Sequence, residues 1–193
     1  MSMGLLIIGL VIFLGAHSVR MVAPDFRAGM IARLGEGPWK GLYALASLIG
    51  LILLVWGYGR AQPLAPVLYV PPFWLVHLVI LLMAFAFIAL AVSLLPSGRL
   101  RPLLKHPMLL ATKTWAIAHL LVNGDLASVL LFGAFLAWAG LNRVSVGRRG
   151  GAPPVAGPVR NDVVAVVVGI LVWLAFIWKL HEWVAGVPVP LAA

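Results

Sequence analysis

Six long apolar stretches, separated by short connections, constrain what this chain can fold into. They are Leu5–Val19, Leu42–Tyr58, Phe73–Leu95, Met108–Val122, Ala127–Leu141 and Val163–Val184. The hydrocarbon core of a bilayer is roughly 30 Å thick and needs about 20 predominantly apolar residues of helix to cross it. The chain is therefore predicted to be an all-α, polytopic membrane helix bundle of about six transmembrane helices, with residues 1–193 forming one domain.

The cations in the connections alternate strongly between the two sides of this predicted bundle. One side would collect eleven of the 14 lysines and arginines, namely Arg20, Arg27, Arg33, Lys40, Arg99, Arg101, Lys105, Arg143, Arg148, Arg149 and Arg160. The other side has Arg60 alone, while Lys113 and Lys179 fall inside predicted spans. Cytoplasmic loops carry the excess of cations in membrane proteins. We therefore expect a multi-pass protein of the cell inner membrane with both termini on the non-cytoplasmic side.

Composition supports a membrane protein and excludes several other classes. Hydrophobic residues make up 63% of the chain and charged residues 10%, whereas about a quarter of a soluble domain is charged. The net charge of +9 lies in short loops beside spans, where topology and anionic lipid headgroups account for it, so no nucleic-acid partner is predicted. The chain has no cysteine, which excludes disulfides, thiolate metal sites and cysteine nucleophiles.

Two of the apolar stretches are short for a full crossing. Met108–Val122 and Ala127–Leu141 are separated only by Asn123, Gly124 and Asp125. They fit two short spans with a tight turn, or a helical hairpin that does not fully cross the bilayer. The charge pattern does not separate these alternatives, because both return the chain to the cytoplasmic side.

The connections contain the residues that favour turns and extended segments. Glycines and a proline in Arg33–Pro38 predict a turn before the second span. The proline-rich segment Gln62–Pro72 is expected to be extended along the interface. The Gly/Pro-rich connection Asn142–Asp162 predicts a mobile cytoplasmic loop.

Histidines are the side chains most able to carry chemistry in this sequence. The five acids, Asp25, Glu36, Asp125, Asp162 and Glu182, all lie in loops or at span ends, and there is no glycine-rich nucleotide motif. His77 and His181 lie near outer span ends, where an imidazole can simply face water or headgroups. His106 lies beside a proline at a predicted first helical turn on the cytoplasmic interface.

His17 and His119 lie within apolar helices, where an imidazole needs a hydrogen-bonded partner or a metal. One face of the helix around His119 carries Ala111, Thr112, Trp115 and Ala116, whose small side chains would leave a slot beside an indole. Arg20 follows His17 by one turn and could pair with a propionate. These features suggest imidazole ligands for an iron porphyrin. A hydrogen bond between buried polar residues of two helices is the alternative.

Several sequence blocks resemble the NnrU family. They are Gly15–Arg20, Arg33–Tyr43, Val55–Gly59, His106–Pro107 and Lys113–Gly124, and the resemblance runs from Met3 to about Val184. The family is associated with bacterial denitrification and nitric oxide metabolism. It also includes the 15-cis-zeta-carotene isomerases, which are membrane haem b proteins of carotenoid biosynthesis.

The resemblance implies a haem b site in which His17 and His119 are the two iron ligands. In the isomerase branch a cysteine three residues before the second histidine is an alternative ligand. This chain has Ala116 at that position, so ligand exchange with a cysteine is excluded and isomerase activity is in doubt.

Depth in the membrane gives a different grouping of the histidines. At about 1.5 Å per residue, His17 lies in the cytoplasmic half of its helix and His119 in the outer half of its own, an offset of roughly 10 Å. Depth alone would group His77, His119 and His181 near the outer face, and His17 with His106 near the inner face. His77 and His106 are therefore second-choice ligands.

Three classes of function remain open at the level of sequence. The first is a membrane haem b protein with redox- or ligand-dependent chemistry, working with an electron-transfer partner or a lipophilic small molecule such as a polyene. The second is a membrane S-adenosylmethionine-dependent methyltransferase, because Lys105–Pro107 resembles part of the signature of the isoprenylcysteine carboxyl methyltransferases. The third is a non-catalytic sensor or accessory subunit. Because these three classes include both enzymes and non-enzymes, the sequence does not decide whether the protein is an enzyme.

Overall fold

A computed structural model describes residues 2–150 and 154–190 of the chain. These residues form nine α-helices and no β-strand, which confirms the all-α prediction. The helices are α1 (Ser2–Val22), α2 (Pro24–Leu34), α3 (Glu36–Ala61), α4 (Leu75–Leu94), α5 (Leu100–Leu104), α6 (Pro107–Val122), α7 (Leu126–Arg149), α8 (Val159–Ala175) and α9 (His181–Ala185). A 3₁₀ turn, Gln62–Leu64, extends α3, and a π-helical turn, Phe176–Leu180, joins α8 to α9.

Five helical segments in the described part of the chain are long and apolar enough to cross a membrane. They are Ser2–Val22, Glu36–Leu64, Leu75–Leu94, Leu126–Arg149 and Val159–Ala185. The remaining predicted span corresponds to α6, which has 16 residues and is therefore about 24 Å long. Five of the six predicted spans thus have the length and composition of membrane helices, while the crossing by α6 stays a prediction.

The proline-rich connection between α3 and α4 lies across the turn between α6 and α7. The backbone N–H groups of Leu68 and Tyr69 donate to the carbonyl of Gly124, and the N–H of Leu126 donates to the carbonyl of Pro66. The Tyr69 hydroxyl donates to the carbonyls of Leu120 and Asn123. The connection therefore satisfies backbone groups that the ends of α6 and α7 leave open.

The two longest polar connections, Arg20–Gly41 and Asn142–Asp162, both contain helix. Within the stretch between the first two spans, α2 has Pro24 at its first turn and Asp25 near its positively polarised N-terminus. The predicted turn is confirmed at Gly35, whose φ of 86° is in the left-handed region.

The other difference concerns the long connection after the fifth span. Helix α7 continues beyond Leu141 to Arg149, so eight of the 21 residues of the predicted mobile loop lie in α7, and four more lie in α8, which begins at Val159. Arg148 and Arg149 lie in its last turn, where cations interact favourably with the helix dipole. Residues 151–153 of that predicted loop lie outside the described residues.

Glycines bring α1 close to α3. A Cβ atom added at Gly50 would lie 2.7 Å from the backbone nitrogen of Phe13, and one added at Gly9 or Gly57 would also meet backbone atoms of the facing helix. Small residues at helix contacts let backbones approach closely in membranes. The packing fixes Phe13 and the helical turn that follows it, which carries His17.

The buried core joins the N-terminal helices to α6 and α7, while α4 packs against α6 and α8. Its members are Leu6, Leu10, Leu54, Ala61, Ala116, Ala127, Leu131 and Phe132. The outer faces remain apolar: on α3, Leu45, Leu48 and Ile52 are 55%, 54% and 55% exposed. Apolar faces of this size would be a liability in water, and they are compatible with a lipid bilayer.

Candidate functional site

His119 lies near the C-terminal end of α6, half-buried among aromatic rings. Its ring lies 4.5 Å from that of Phe132 on α7 and 5.3 Å from that of Trp115, measured between centroids. The Nδ1 atom is 2.8 Å from the carbonyl oxygen of Trp115. A carbonyl can only accept, so Nδ1 carries the proton in this hydrogen bond and Nε2 keeps its lone pair.

His181 faces His119 from the C-terminal part of the chain. Their ring centroids are 6.3 Å apart and their planes differ by 15°. The Nδ1 atom of His181 donates to the carbonyl of Val187 over 2.7 Å, so its Nε2 also keeps a lone pair. The π-helical turn Phe176–Leu180 directly precedes His181, and such turns often occur at functional sites.

Two adjoining cavities open beside this histidine pair, and together we name them the histidine cleft. Their volumes are about 320 and 180 Å³. Both are lined by Met83, Phe87, His119, Phe176 and His181. The larger is completed by Ala86, Leu90, Ala111, Thr112, Trp115 and Phe135. The cleft is therefore an apolar, aromatic space with two basic nitrogens beside it.

The structure places three of the four residues predicted beside His119 on this cleft. Ala111, Thr112 and Trp115 line it, and the Thr112 hydroxyl donates to the carbonyl of Met108. Ala116 has no exposed surface and packs in the buried core. Successive residues of a helix are about 100° apart, so the position after Trp115 turns away from the cleft.

His17 lies at the other end of the bundle, in an aromatic environment of its own. Its ring stacks on Phe13 at 4.3 Å and lies 5.3 Å from Tyr43 and 6.1 Å from Trp138. Its Nδ1 donates to the carbonyl of Phe13 over 2.7 Å. In the neutral form of His17, Nε2 then keeps its lone pair.

A separate cavity of about 510 Å³ lies beside His17, and we name it the cation cavity. Its polar lining includes Arg20, Arg101, Lys105, Arg149 and His106, which come from three of the loops predicted to share the cytoplasmic side. These loops do meet at one end of the bundle, as the charge pattern indicated.

The predicted ligands His17 and His119 line different cavities. A series of ring contacts connects the two histidines through Phe13, Phe135 and Trp115, with centroids 5.7 Å apart from Phe13 to Phe135 and 5.3 Å from Phe135 to Trp115. In the structure His119 lies beside His181, while His17 and His106 line the cation cavity.

The sequence predicts that the other two histidines, His77 and His181, face water or headgroups near outer span ends. His77 is exposed near the start of α4 and meets the edge of Phe73 at 5.9 Å. His181 was interpreted as interfacial, and membrane depth was the one sequence signal that grouped it with His119. Among the described residues no group of three or more histidine, cysteine or acidic side chains is placed to hold a metal ion, so histidine pairs are the candidates.

A second buried polar group lies at the start of α7. Asp125 accepts hydrogen bonds from the backbone N–H and the hydroxyl of Ser128, at 2.9 and 2.6 Å. The Ser128 hydroxyl also lies 2.9 Å from that of Tyr58 on α3. This arrangement is a helix cap that ties α7 to α3.

Comparison with known proteins identifies one family. A family model described as NnrU protein matches residues 5–189, nearly the whole chain. No curated protein and no solved structure matches the chain.

Proposed function

We propose that this chain, which belongs to the NnrU family, is a protein of the cell inner membrane that binds haem b in the histidine cleft. In this proposal His119 and His181 would hold the haem iron. The observation that carries it is the pair of imidazole rings with centroids 6.3 Å apart.

The separation of the rings supports a shared metal ion. A bond from a metal to an imidazole nitrogen is about 2 Å long, so two imidazoles on one ion have ring centroids roughly 6 Å apart. Metal-binding histidines commonly donate their other N–H to a carbonyl, which fixes the ring and its tautomer. Both His119 and His181 make that hydrogen bond.

The lining of the cleft suits a flat apolar macrocycle. Phe87, Trp115 and Phe176 offer ring faces and edges, while Ala86 and Ala111 leave room beside them. Lys179, which precedes His181 by two residues, is paired with Glu182 at 2.7 Å. A propionate near the outer interface would compete for that ammonium group.

The resemblance implies a different ligand pair, His17 with His119. That assignment takes its two ligands from different cavities, which ring contacts through Phe13, Phe135 and Trp115 connect. In that assignment Arg20 could pair with a haem propionate, because Arg20 and His17 line the same cavity. The two assignments make opposite predictions for His17 and His181 variants.

Bound haem would supply electron transfer or the binding of a small ligand at its iron, and His119 and His181 would hold it. The chain holds the two imidazoles differently. His119 is inside α6, whereas His181 begins the short helix α9 after a π-helical turn. His181 therefore belongs to the less regular of the two helical segments. We infer that the haem site reacts with nitric oxide or a lipophilic polyene, or exchanges electrons with a partner protein.

Haem content of the purified protein tests the proposal. The full chain is expressed with ample haem supply, purified in detergent, and examined by absorption spectroscopy in oxidised and reduced forms. A Soret band with stoichiometric haem b by pyridine haemochrome analysis is the expected result. A colourless, monodisperse preparation would show that the cleft does not hold haem.

A further inference from the structure

The cation cavity at the opposite end of the bundle has no role in the haem site proposed above. Four cations from separate elements line it: Arg20 on α1, Arg101 on α5, Lys105 directly after α5, and Arg149 at the end of α7. Its volume of about 510 Å³ is larger than either part of the histidine cleft. A cavity of this size is within the usual range of ligand sites.

These four cations have no carboxylate partner among the residues that the structure describes. The ion pairs found there are Lys40 with Glu36 and Lys179 with Glu182, and no acidic side chain lines the cavity. Like charges held together repel, and the repulsion grows as the surroundings become less polar. An anion in the cavity would remove this repulsion.

The behaviour of His106 agrees with a strongly positive cavity. Burial lowers the pKa of the His106 imidazole, and the positive charges of Arg143 and Lys105 lower the pKa further. A bound anion would oppose the effect of these charges.

Two of the guanidinium groups are held by the protein backbone. Arg101 donates to the carbonyls of Val92 and Ser93 at the end of α4. Arg149 donates to the carbonyl of Arg20 over 3.0 Å. Because each guanidinium has five N–H donors, both retain donors for a ligand in positions that are already fixed.

The rest of the cavity wall is apolar. Met21, Leu109, Trp138 and Val146 line it together with Met108, which is 42% exposed on the outside of the bundle. A ligand that fits both parts of the wall carries a compact anionic head and a hydrocarbon chain. Guanidinium groups bind phosphate oxygens in pairs, and arginine is favoured where phosphate is recognised.

We propose that the cation cavity binds the phosphate headgroup of an anionic membrane lipid, with the lipid chain leaving the cavity past Met108. The predicted orientation puts this cavity at the cytoplasmic leaflet, whose lipids are anionic. The site is independent of haem and stands whether or not the histidine cleft holds one. A free phosphate ion shares the same chemistry, and the experiment separates the two sources.

The test uses the full chain as purified in an uncharged detergent. Short-chain phosphatidic acid, phosphatidylcholine of the same chain length, and inorganic phosphate are titrated by isothermal calorimetry. The variant is Arg20→Gln with Lys105→Gln, because neither side chain makes a hydrogen bond or ion pair among the described residues. Arg33→Gln removes one cation from α2, outside the cavity, and is the matched control.

The expected result is saturable binding of phosphatidic acid, which the double variant weakens by about tenfold or more and Arg33→Gln leaves unchanged. Arg20→Lys with Lys105→Arg should restore most of the binding, which would show that charge rather than folding was lost. Equal binding of phosphatidylcholine, or an unaffected double variant, would overturn the site. Inorganic phosphate binding as tightly as phosphatidic acid would overturn the lipid and leave only an anion site.

Discussion

His119 and His181 face one another with ring centroids 6.3 Å apart, although one lies in α6 and the other begins α9. Each donates its Nδ1–H to a carbonyl on its own segment. In their neutral forms both rings therefore keep a lone pair on Nε2, and both line one apolar cleft. This relationship, together with the charge pattern and the helix packing, leads to the following predictions.

Cysteine labelling will test the predicted orientation, because the chain has no cysteine of its own. Val70 lies in the α3–α4 connection and Val155 before α8, and both are 85% exposed. We expect a membrane-impermeant maleimide to label Val70→Cys in intact spheroplasts and Val155→Cys only after lysis. The reverse pattern would place the cation-rich loops outside and contradict the charge rule for this chain.

Gly50→Ala should destabilise the protein by about 1–3 kcal/mol, because overpacking of a tight contact forces the backbone to shift. The added Cβ would lie 2.7 Å from the backbone nitrogen of Phe13. Gly59→Ala on the same helix is the control, since nothing lies within 4 Å of its added Cβ. Thermal unfolding in detergent measures both, and equal melting temperatures would show that α1 and α3 are less closely packed.

Asp125→Ala should lower the free energy of unfolding by about 0.5–2 kcal/mol, the usual effect of losing an N-cap. The carboxylate accepts two hydrogen bonds from Ser128 at the first turn of α7. Ser128→Ala is the comparison variant, because it keeps the bond to the backbone and loses the contact with Tyr58. Denaturant unfolding in micelles should show a larger loss for Asp125→Ala, and an unchanged midpoint would argue against the cap.

The pKa of His106 should lie below its ordinary value of about 6.5, chiefly because of burial and then because of Arg143 and Lys105. The charged and titratable groups around it come from three elements: Arg20 and His17 on α1, Arg101 and Lys105 at α5, and Arg143 and Arg149 on α7. Arg143→Gln should raise the pKa, which nitrogen-15 NMR of labelled histidine will measure. A pKa that falls or stays constant in this variant would show that the charge of Arg143 does not act on His106.

The lowered pKa of His106 also makes the free energy of unfolding depend on pH in a defined direction. The folded pKa is lower than the unfolded one, so the unfolded chain binds more protons in the range between them. The contribution of His106 to the free energy of unfolding is fully present above its unfolded pKa. It decreases as the pH falls towards the folded pKa. Arg143→Gln should reduce the loss of stability that His106 causes as the pH falls.

Hydropathy and charge predicted much of the fold because they report on the solvent of each segment. The apolar stretches correspond to α1, α3, α4, α6, α7 and α8 with its extension. Helix α2 and the last turns of α7 were missed, since they contain polar residues that are also acceptable in loops. Their helical form depends on a proline at an N-terminus and cations at a C-terminus.

Less of the candidate site than of the fold could be predicted from the sequence. The face of α6 that carries Thr112, Trp115 and His119 was predicted, but the partner of His119 depends on the rotation of the last span. The π-helical turn before His181 alters that rotation, and hydropathy does not report it.

The ligand assignment is tested most directly by the spectra of three histidine variants. Haem content and low-temperature electron paramagnetic resonance are measured for His119→Ala, His181→Ala and His17→Ala, with exposed His77→Ala as the control. We predict that His119→Ala loses haem, that His181→Ala loses it or changes from low to high spin, and that His17→Ala and His77→Ala keep the low-spin signal. A low-spin signal that survives in His181→Ala but disappears in His17→Ala would contradict the account and restore His17 as the second ligand.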